Sequence, residues 1–130
     1  MKKAIALLLA LVMVFALCAC GGGDKGTADN GEKVVKIGVF EPASGDSGAG
    51  GKKEMLGMQY ANQETPTVEV GGETYKVELV YSDNGSDSAK AVSAASKLVN
   101  EKVSLVLGSY GSGVSIAASD TFKQAGIPAI

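Results

Sequence analysis

The 130-residue chain has a formal net charge of −2, with 14 acidic residues against 12 basic ones that are all lysine, and it contains no histidine or tryptophan. A mildly acidic chain without guanidinium groups is a poor partner for nucleic acid or polyphosphate, which favour basic patches and bidentate contacts. The absence of histidine also removes the usual general base.

In chain order, Lys2 and Lys3 come first, followed by an unbroken apolar run from Ala4 to Leu17. That length suits a signal-peptide core and falls short of the ~20 residues of a membrane span. The run closes on Leu17-Cys18-Ala19-Cys20, directly before "GGGDKGTADNGEK". Leu, a variable residue, a small residue and Cys resembles the lipobox of bacterial lipoproteins, which implies cleavage before Cys20 and diacylglyceryl modification of its thiol. Cys18 fits less well as acceptor, because Phe15-Ala16-Leu17 puts a bulky residue where a small one is wanted. An ordinary secretory signal with two incidental cysteines is the alternative. Without Lys2 and Lys3, ten lysines face fourteen acids, a net charge of −4. With Cys20 acylated and Cys18 removed, no cysteine remains for a disulfide. Gly21 to Lys33 has no aliphatic side chain larger than alanine and cannot offset its ordering entropy, so it reads as a flexible tether. The expected organisation is a signal peptide over 1–19, a tether from lipidated Cys20 over 20–33, and a folded lobe over 34–130.

"VVKIGVF", Val34 to Phe40, is a β-branched and apolar run, as expected of a strand buried on both faces. The glycine-rich "EPASGDSGAGG" reads as a loop, and "KKEMLGMQYANQ" as a helix with Met55, Met58 and Ala61 on one side as core filler. Val68 and Val70 lead into Gly71-Gly72, a two-residue hairpin signal. Tyr75, Val77, Leu79 and Tyr81 then share one face of a strand. In "SDSAKAVSAASKLVN" the apolar positions Ala91, Val92, Ala95, Leu98 and Val99 recur at helical spacing, with Ser86 or Ser88 to cap the start and Asn100 to end it. "VSLVL" is the next buried strand. Val114 to Ala125 reads as a helix capped by Ser112 with Gly126 just past its end, and "IPAI" begins a further strand.

Apolar strands alternating with helices predict right-handed βαβ crossovers, hence an α/β lobe of three layers around a mostly parallel sheet. A doubly wound sheet rarely ends on the first residues of a central strand, so the expectation is the front part of a longer protein. Ligands bind such sheets at the carboxyl ends of the strands, where residues 41–51 and 108–113 lie. The first loop fails the phosphate-binding pattern G-x-x-x-x-G-K-[ST], because Asp46 stands at its first glycine and Lys53 follows Gly51-Lys52. Neither loop holds G-x-G-x-x-G. No serine of "LVLGSYGSGVS" meets G-x-S-x-G: Ser115 has Gly113 before it but Ala117 after it. The reading is therefore a binding protein and not an enzyme, with no cofactor or metal implied. Ser112, Gly113 and Val114 can offer a hydroxyl and two amides to a carboxylate at a helix N-terminus. Ser112 merely capping its own helix is the plainer alternative.

The run "KIGVFEPASGDSGAGG", the Asp83-Asn84 pair, "LVLGSYGSGVS" and "AGIPAI" in this order resembles the leucine/isoleucine/valine-binding proteins of ABC importers, the type I periplasmic binding proteins. The resemblance implies an extracytoplasmic substrate-binding lipoprotein that captures an amino acid of branched-chain type, or a related small amide, for ABC permease subunits. It implies a ligand α-carboxylate on Ser112, with Tyr110, Gly111 and Gly113 as lining. Ser44 and Gly45 would contribute from the loop after the first strand. Glycines at 48, 50 and 51, where some members carry a large aromatic, leave the side-chain preference open. One lobe holding half the contacts should bind free amino acids weakly or not at all. A ligand-sensing receptor domain of the same fold and a flavodoxin-like nucleotide module are the alternatives, and the export signal weighs against the second.

Overall fold

The computed structural model of the chain describes residues 32–130. The expected signal peptide, the Cys20 lipidation site and all but the last two residues of the expected tether lie outside the described residues. Among these residues four strands form one sheet in the order β2-β3-β1-β4. The strands are β1 Val34–Val39, β2 Thr67–Val70, β3 Glu73–Tyr81 and β4 Leu105–Leu107, and the helices are α1 Gly48–Glu64, α2 Ser88–Asn100 and α3 Ser112–Ala125. β1 pairs in parallel with β3 and β4, while β2 and β3 form the antiparallel hairpin that Gly71 and Gly72 turn with positive φ. The expected strand at "IPAI" is a single parallel bridge from Ala129 to Val106, with Ile130 N–H donating to the Val106 carbonyl at 3.0 Å.

The crossover β1-α1-β3 runs one way across the sheet, and β3-α2-β4 passes back over β1 the other way. Right-handed connections therefore set α1 on one face and α2 with α3 on the other, the three layers expected of the α/β lobe. The α2/α3 face holds the core: Ala91, Ala95 and Leu98 of α2, Ala118 and Phe122 of α3, Val106 of β4, and Phe40. Phe40 and Phe122 meet edge to face with ring centroids 5.4 Å apart. Gly38 supplies the room, since a Cβ there would sit 3.1 Å from both Leu98 and Val106.

Four local expectations need correction. The first helix begins at Gly48, not Lys52, so Gly48, Gly50 and Gly51 of the expected loop belong to its first turn, and only Gly45 stays in the loop. Only Gly48 and Gly51 of α1 are buried; Met55 and Met58 are half-buried and Ala61 is exposed, so the methionines fill no core. Gly51 is bare because a Cβ there would overlap the Pro42 carbonyl. At α2 the cap is Asp87, neither Ser86 nor Ser88: its Oδ1 accepts the Ala89 N–H at 2.7 Å. The α3 cap is Gly111, which has no side chain to cap with, and Ser112 is the first helical residue. Gly126 takes the left-handed conformation at the end of α3, as expected, with φ 69°.

Candidate functional site

Three loops meet at the carboxyl ends of the strands: residues 40–47 after β1, 82–87 after β3 and 108–111 after β4. Asp83 and Asn84, side by side in the second loop, bind the other two. Asp83 Oδ1 accepts the N–H groups of Ala43 (2.8 Å), Ser44 (3.3 Å) and Gly85 (2.9 Å), and its Oδ2 accepts the Ser44 hydroxyl at 2.7 Å. Partial burial raises the Asp83 pKa, but these four donors outweigh it and hold the carboxyl below its ordinary value. Asn84, fully buried, donates from Nδ2 to the Phe40 carbonyl (3.0 Å) and to Ser109 Oγ (2.9 Å), and accepts the Ser86 N–H at 3.1 Å. Ser109 Oγ in turn accepts the Gly111 N–H at 3.4 Å, at the threshold of α3.

Between these loops lies a cleft of about 210 Å³. Its walls carry the serines 47, 86, 88 and 109, the amide of Asn84, and backbone at Gly111 and Gly113, with no charged side chain among the lining residues. Val114 and Ser115 N–H both bond the Gly111 carbonyl at 3.1 Å. That corrects the expectation that Val114 offers its amide to a ligand; the first two N–H groups of α3, at Ser112 and Gly113, are the ones helix geometry leaves over. A helix start that presents N–H groups beside neutral hydroxyls suits an anion without a counter-charge, such as a carboxylate.

The sequence-derived site residues divide into two groups. Tyr110, Gly111, Ser112 and Gly113 come together at the start of α3: Gly111 and Gly113 line the cleft, and Ser112 is exposed on the first turn. The Tyr110 ring lies over Gly50 of α1. Ser44 and Gly45 do not join them. The Ser44 hydroxyl is taken by Asp83, and Gly45, with φ 75°, is pressed against the Gly85 carbonyl. They lock one loop to another.

Glu41 is the residue the sequence reading missed. It is 1% exposed, its Oε2 accepts the Tyr110 N–H at 2.9 Å, and its buried Oε1 has no hydrogen-bond partner among the described residues. Burial pushes its pKa up to about 7 against the pull of the Tyr110 N–H, and the Glu54 carboxylate on α1 adds to the rise. The available signal was position: an acid held between Phe40 and Pro42 directly after a strand expected to be buried on both faces, which the structure buries only at its carboxyl end, at Gly38 and Val39. A larger cavity of about 770 Å³ follows the outer edge of the sheet from Glu41 and Glu54 past Phe122 to Ile130. Apolar residues dominate its walls beside the last paired strand, so it is a sheet edge and not the polar cleft.

Residues 34–130 match the family model described as periplasmic binding protein. The Leu/Ile/Val-binding protein homolog 2 of Brucella abortus is 33% identical over 116 residues, covering 89% of this chain and 29% of that protein. The branched-chain amino acid transporter substrate-binding protein LivJ of Streptococcus pneumoniae, solved with isoleucine, superposes with a TM-score of 0.65 at 34% identity, over 75% of this chain and 28% of that one. An ABC transporter solute-binding protein of Rhodopseudomonas palustris, solved with benzoate, gives 0.64 at 28% identity over 74% and 26%. The chain thus spans less than a third of the length of these relatives.

Proposed function

We propose, from the premise that this chain belongs to the periplasmic binding protein family, that it receives the carboxylate of a small solute at the start of α3. The family is one of extracytoplasmic solute-binding proteins, and the relatives above are binding proteins of ABC transporters, not enzymes. The observation that carries the reading is the neutral cleft into which the first turn of α3 opens, with Gly111 and Gly113 in its wall. Isoleucine and benzoate, the ligands of the two related structures, differ in every group except the carboxylate. That shared group is the one a helix N-terminus and uncharged hydroxyls can recognise.

In this reading the Ser112 hydroxyl and the Ser112 and Gly113 amides hold the carboxylate, and Tyr110 borders the side chain. Ser44 and Gly45 act indirectly, by keeping the loop after β1 in place. The ligand is an amino acid of branched-chain type or a related small amide, passed on to ABC permease subunits after a second lobe closes over it. Cys20 would carry the lipid that keeps the protein at the outer face of the membrane.

Calorimetric titration of the chain with isoleucine and with isoleucinamide tests the reading. One lobe's contacts predict an association of about millimolar strength for isoleucine, weak because half the burial is absent, and none for the amide. Equal binding of the two would overturn the carboxylate reading. The mass of the membrane-extracted protein tests the anchor: acyl chains on Cys20 are expected, and an unmodified Cys20 or a free N-terminus elsewhere contradicts it.

A further inference from the structure

Glu41 is not part of the cleft, yet it is tied to the segment that forms the cleft's upper wall. It stands directly after β1, buried, where Phe40 N–H donates to the Leu107 carbonyl at 2.9 Å and fixes the end of one strand against the other. Its Oε2 takes the Tyr110 N–H, while the neighbouring Phe40 carbonyl takes Asn84, which holds Ser109. The fit on the other side is equally close. Gly108 has φ +109°, and a Cβ on it would overlap Glu41 Oε1. The loop has left a bare Cα where the carboxyl lies.

We propose that Glu41 is a positioning residue: its buried carboxyl fixes the Tyr110 amide, and through it the start of α3 where a ligand's carboxylate is received. The last clause rests on the function proposed above; the positioning itself does not. A carboxyl buried with one oxygen unpartnered is costly as an anion. In the protonated form Oε2 still accepts the Tyr110 N–H, and Oε1 gains a hydrogen to donate. The charged residues that line the same cavity as Glu41 are Glu54 from α1, which acts on it directly, and Lys123 from α3. No charged side chain reaches it from β4 or the 108–111 loop among the cavity's lining residues. Glu54 disfavours a second negative charge, and among the described residues no lysine forms an ion pair with Glu41. Loss of the Glu41 proton therefore adds an anion against the Tyr110 amide, two residues before the amides that would receive a carboxylate, and ligand affinity falls as it ionises.

The test is an amide NMR titration of the ligand-free chain from about pH 5 to about pH 9, wild type beside Glu41→Gln and Glu41→Ala. In the wild type the Tyr110 and Gly111 amides are expected to move with one midpoint near 7. Glu41→Gln keeps an acceptor for the Tyr110 N–H, so its amides stay at the wild-type acid-limit positions and do not titrate. Glu41→Ala moves the 110–113 amides at every pH. Wild-type 110–113 amides in both variants, or an unchanged titration in Glu41→Gln, would overturn the proposal; if the alanine variant does not fold, the glutamine variant decides alone. Isoleucine affinity, read separately, should fall by about tenfold or more in Glu41→Ala and be restored in Glu41→Gln, the loss expected for a buried hydrogen bond to a charged or ionisable partner. Loop positioning without any isoleucine binding would refute the proposed function and leave the positioning role standing.

Discussion

The ring of Tyr110 lies on the bare Cα of Gly50: a Cβ built there would sit 2.7 Å from the ring's Cζ and 2.8 Å from Cε2. The loop after β4 thus rests on the first turn of α1. In Gly50→Ala the ring has to move, and it can, because Tyr110 is 54% exposed. Better helix propensity is worth about 0.5–1 kcal/mol, against the lost ring contact. Stability in urea is therefore expected to change by less than about 1 kcal/mol, while the Tyr110 ring resonances shift. An unmoved ring would show that the two residues do not touch in solution.

Asp83 makes the opposite kind of contact, binding loops through four donors from Ala43, Ser44 and Gly85. Asp83→Ala is expected to destabilise by on the order of 1–2 kcal/mol, since each exposed hydrogen bond contributes about 1 kcal/mol or less. Ser44→Ala removes only one of them and should cost less. Because the folded pKa lies below the ordinary value, the stabilisation is present above about pH 3.8 and is lost as the pH falls through the folded value. Urea midpoints of wild type and Asp83→Asn measured down the acid range check this: the two should converge at low pH.

Glu41 runs the other way. Its folded pKa of about 7 stands above the ordinary 4.5, so its contribution is full below about pH 4.5 and is lost as the pH rises through 7. At about 1.4 kcal/mol per pH unit the loss is on the order of 3 kcal/mol. Together with Asp83 this places maximum stability in weakly acidic solution. Unfolding free energies at about pH 5 and about pH 8 are expected to differ in the wild type and to agree in Glu41→Gln. A wild type equally stable at both would contradict the burial of an ionisable Glu41.

Two glycines separate helix propensity from close packing. Nothing lies within 4 Å of a Cβ at Gly57, inside α1, so Gly57→Ala should stabilise by about 0.5–1 kcal/mol. Gly108→Ala meets the Glu41 carboxyl and the Phe40 carbonyl at positive φ, and should destabilise by more than about 2 kcal/mol. Thermal melts of the two variants should move in opposite directions.

These contrasts explain what the sequence could and could not convey. β1, β3, the Gly71-Gly72 hairpin, α2 and the Gly126 stop were legible because periodicity and turn chemistry are local. The start of α1 was not: "GAGG" reads as loop on propensity, and becomes helix because Gly51 and Gly48 allow approach to Pro42 and Ala43. The helix caps were hidden for the same reason: Asp87 stands where Ser86 or Ser88 was expected, and Gly111 where Ser112 was expected. Serines flank both helix starts, and the choice of cap depends on where the preceding loop leaves the chain. The 110–113 segment stood out because glycine and serine follow an apolar strand there, and the structure places Gly111 and Gly113 in the wall of a cleft. Glu41 was hidden by its charge, which ordinarily marks a surface position.

The most direct test of the central claim is an amide NMR titration of the chain with isoleucine, isoleucinamide and benzoate, followed at Ser112 and Gly113. Carboxylate capture at the start of α3 predicts that isoleucine and benzoate shift these two amides downfield, that isoleucinamide does not, and that Ser112→Ala weakens both responses. Shifts from all three ligands alike, or from isoleucine only at residues away from the loops after β1, β3 and β4, would contradict it.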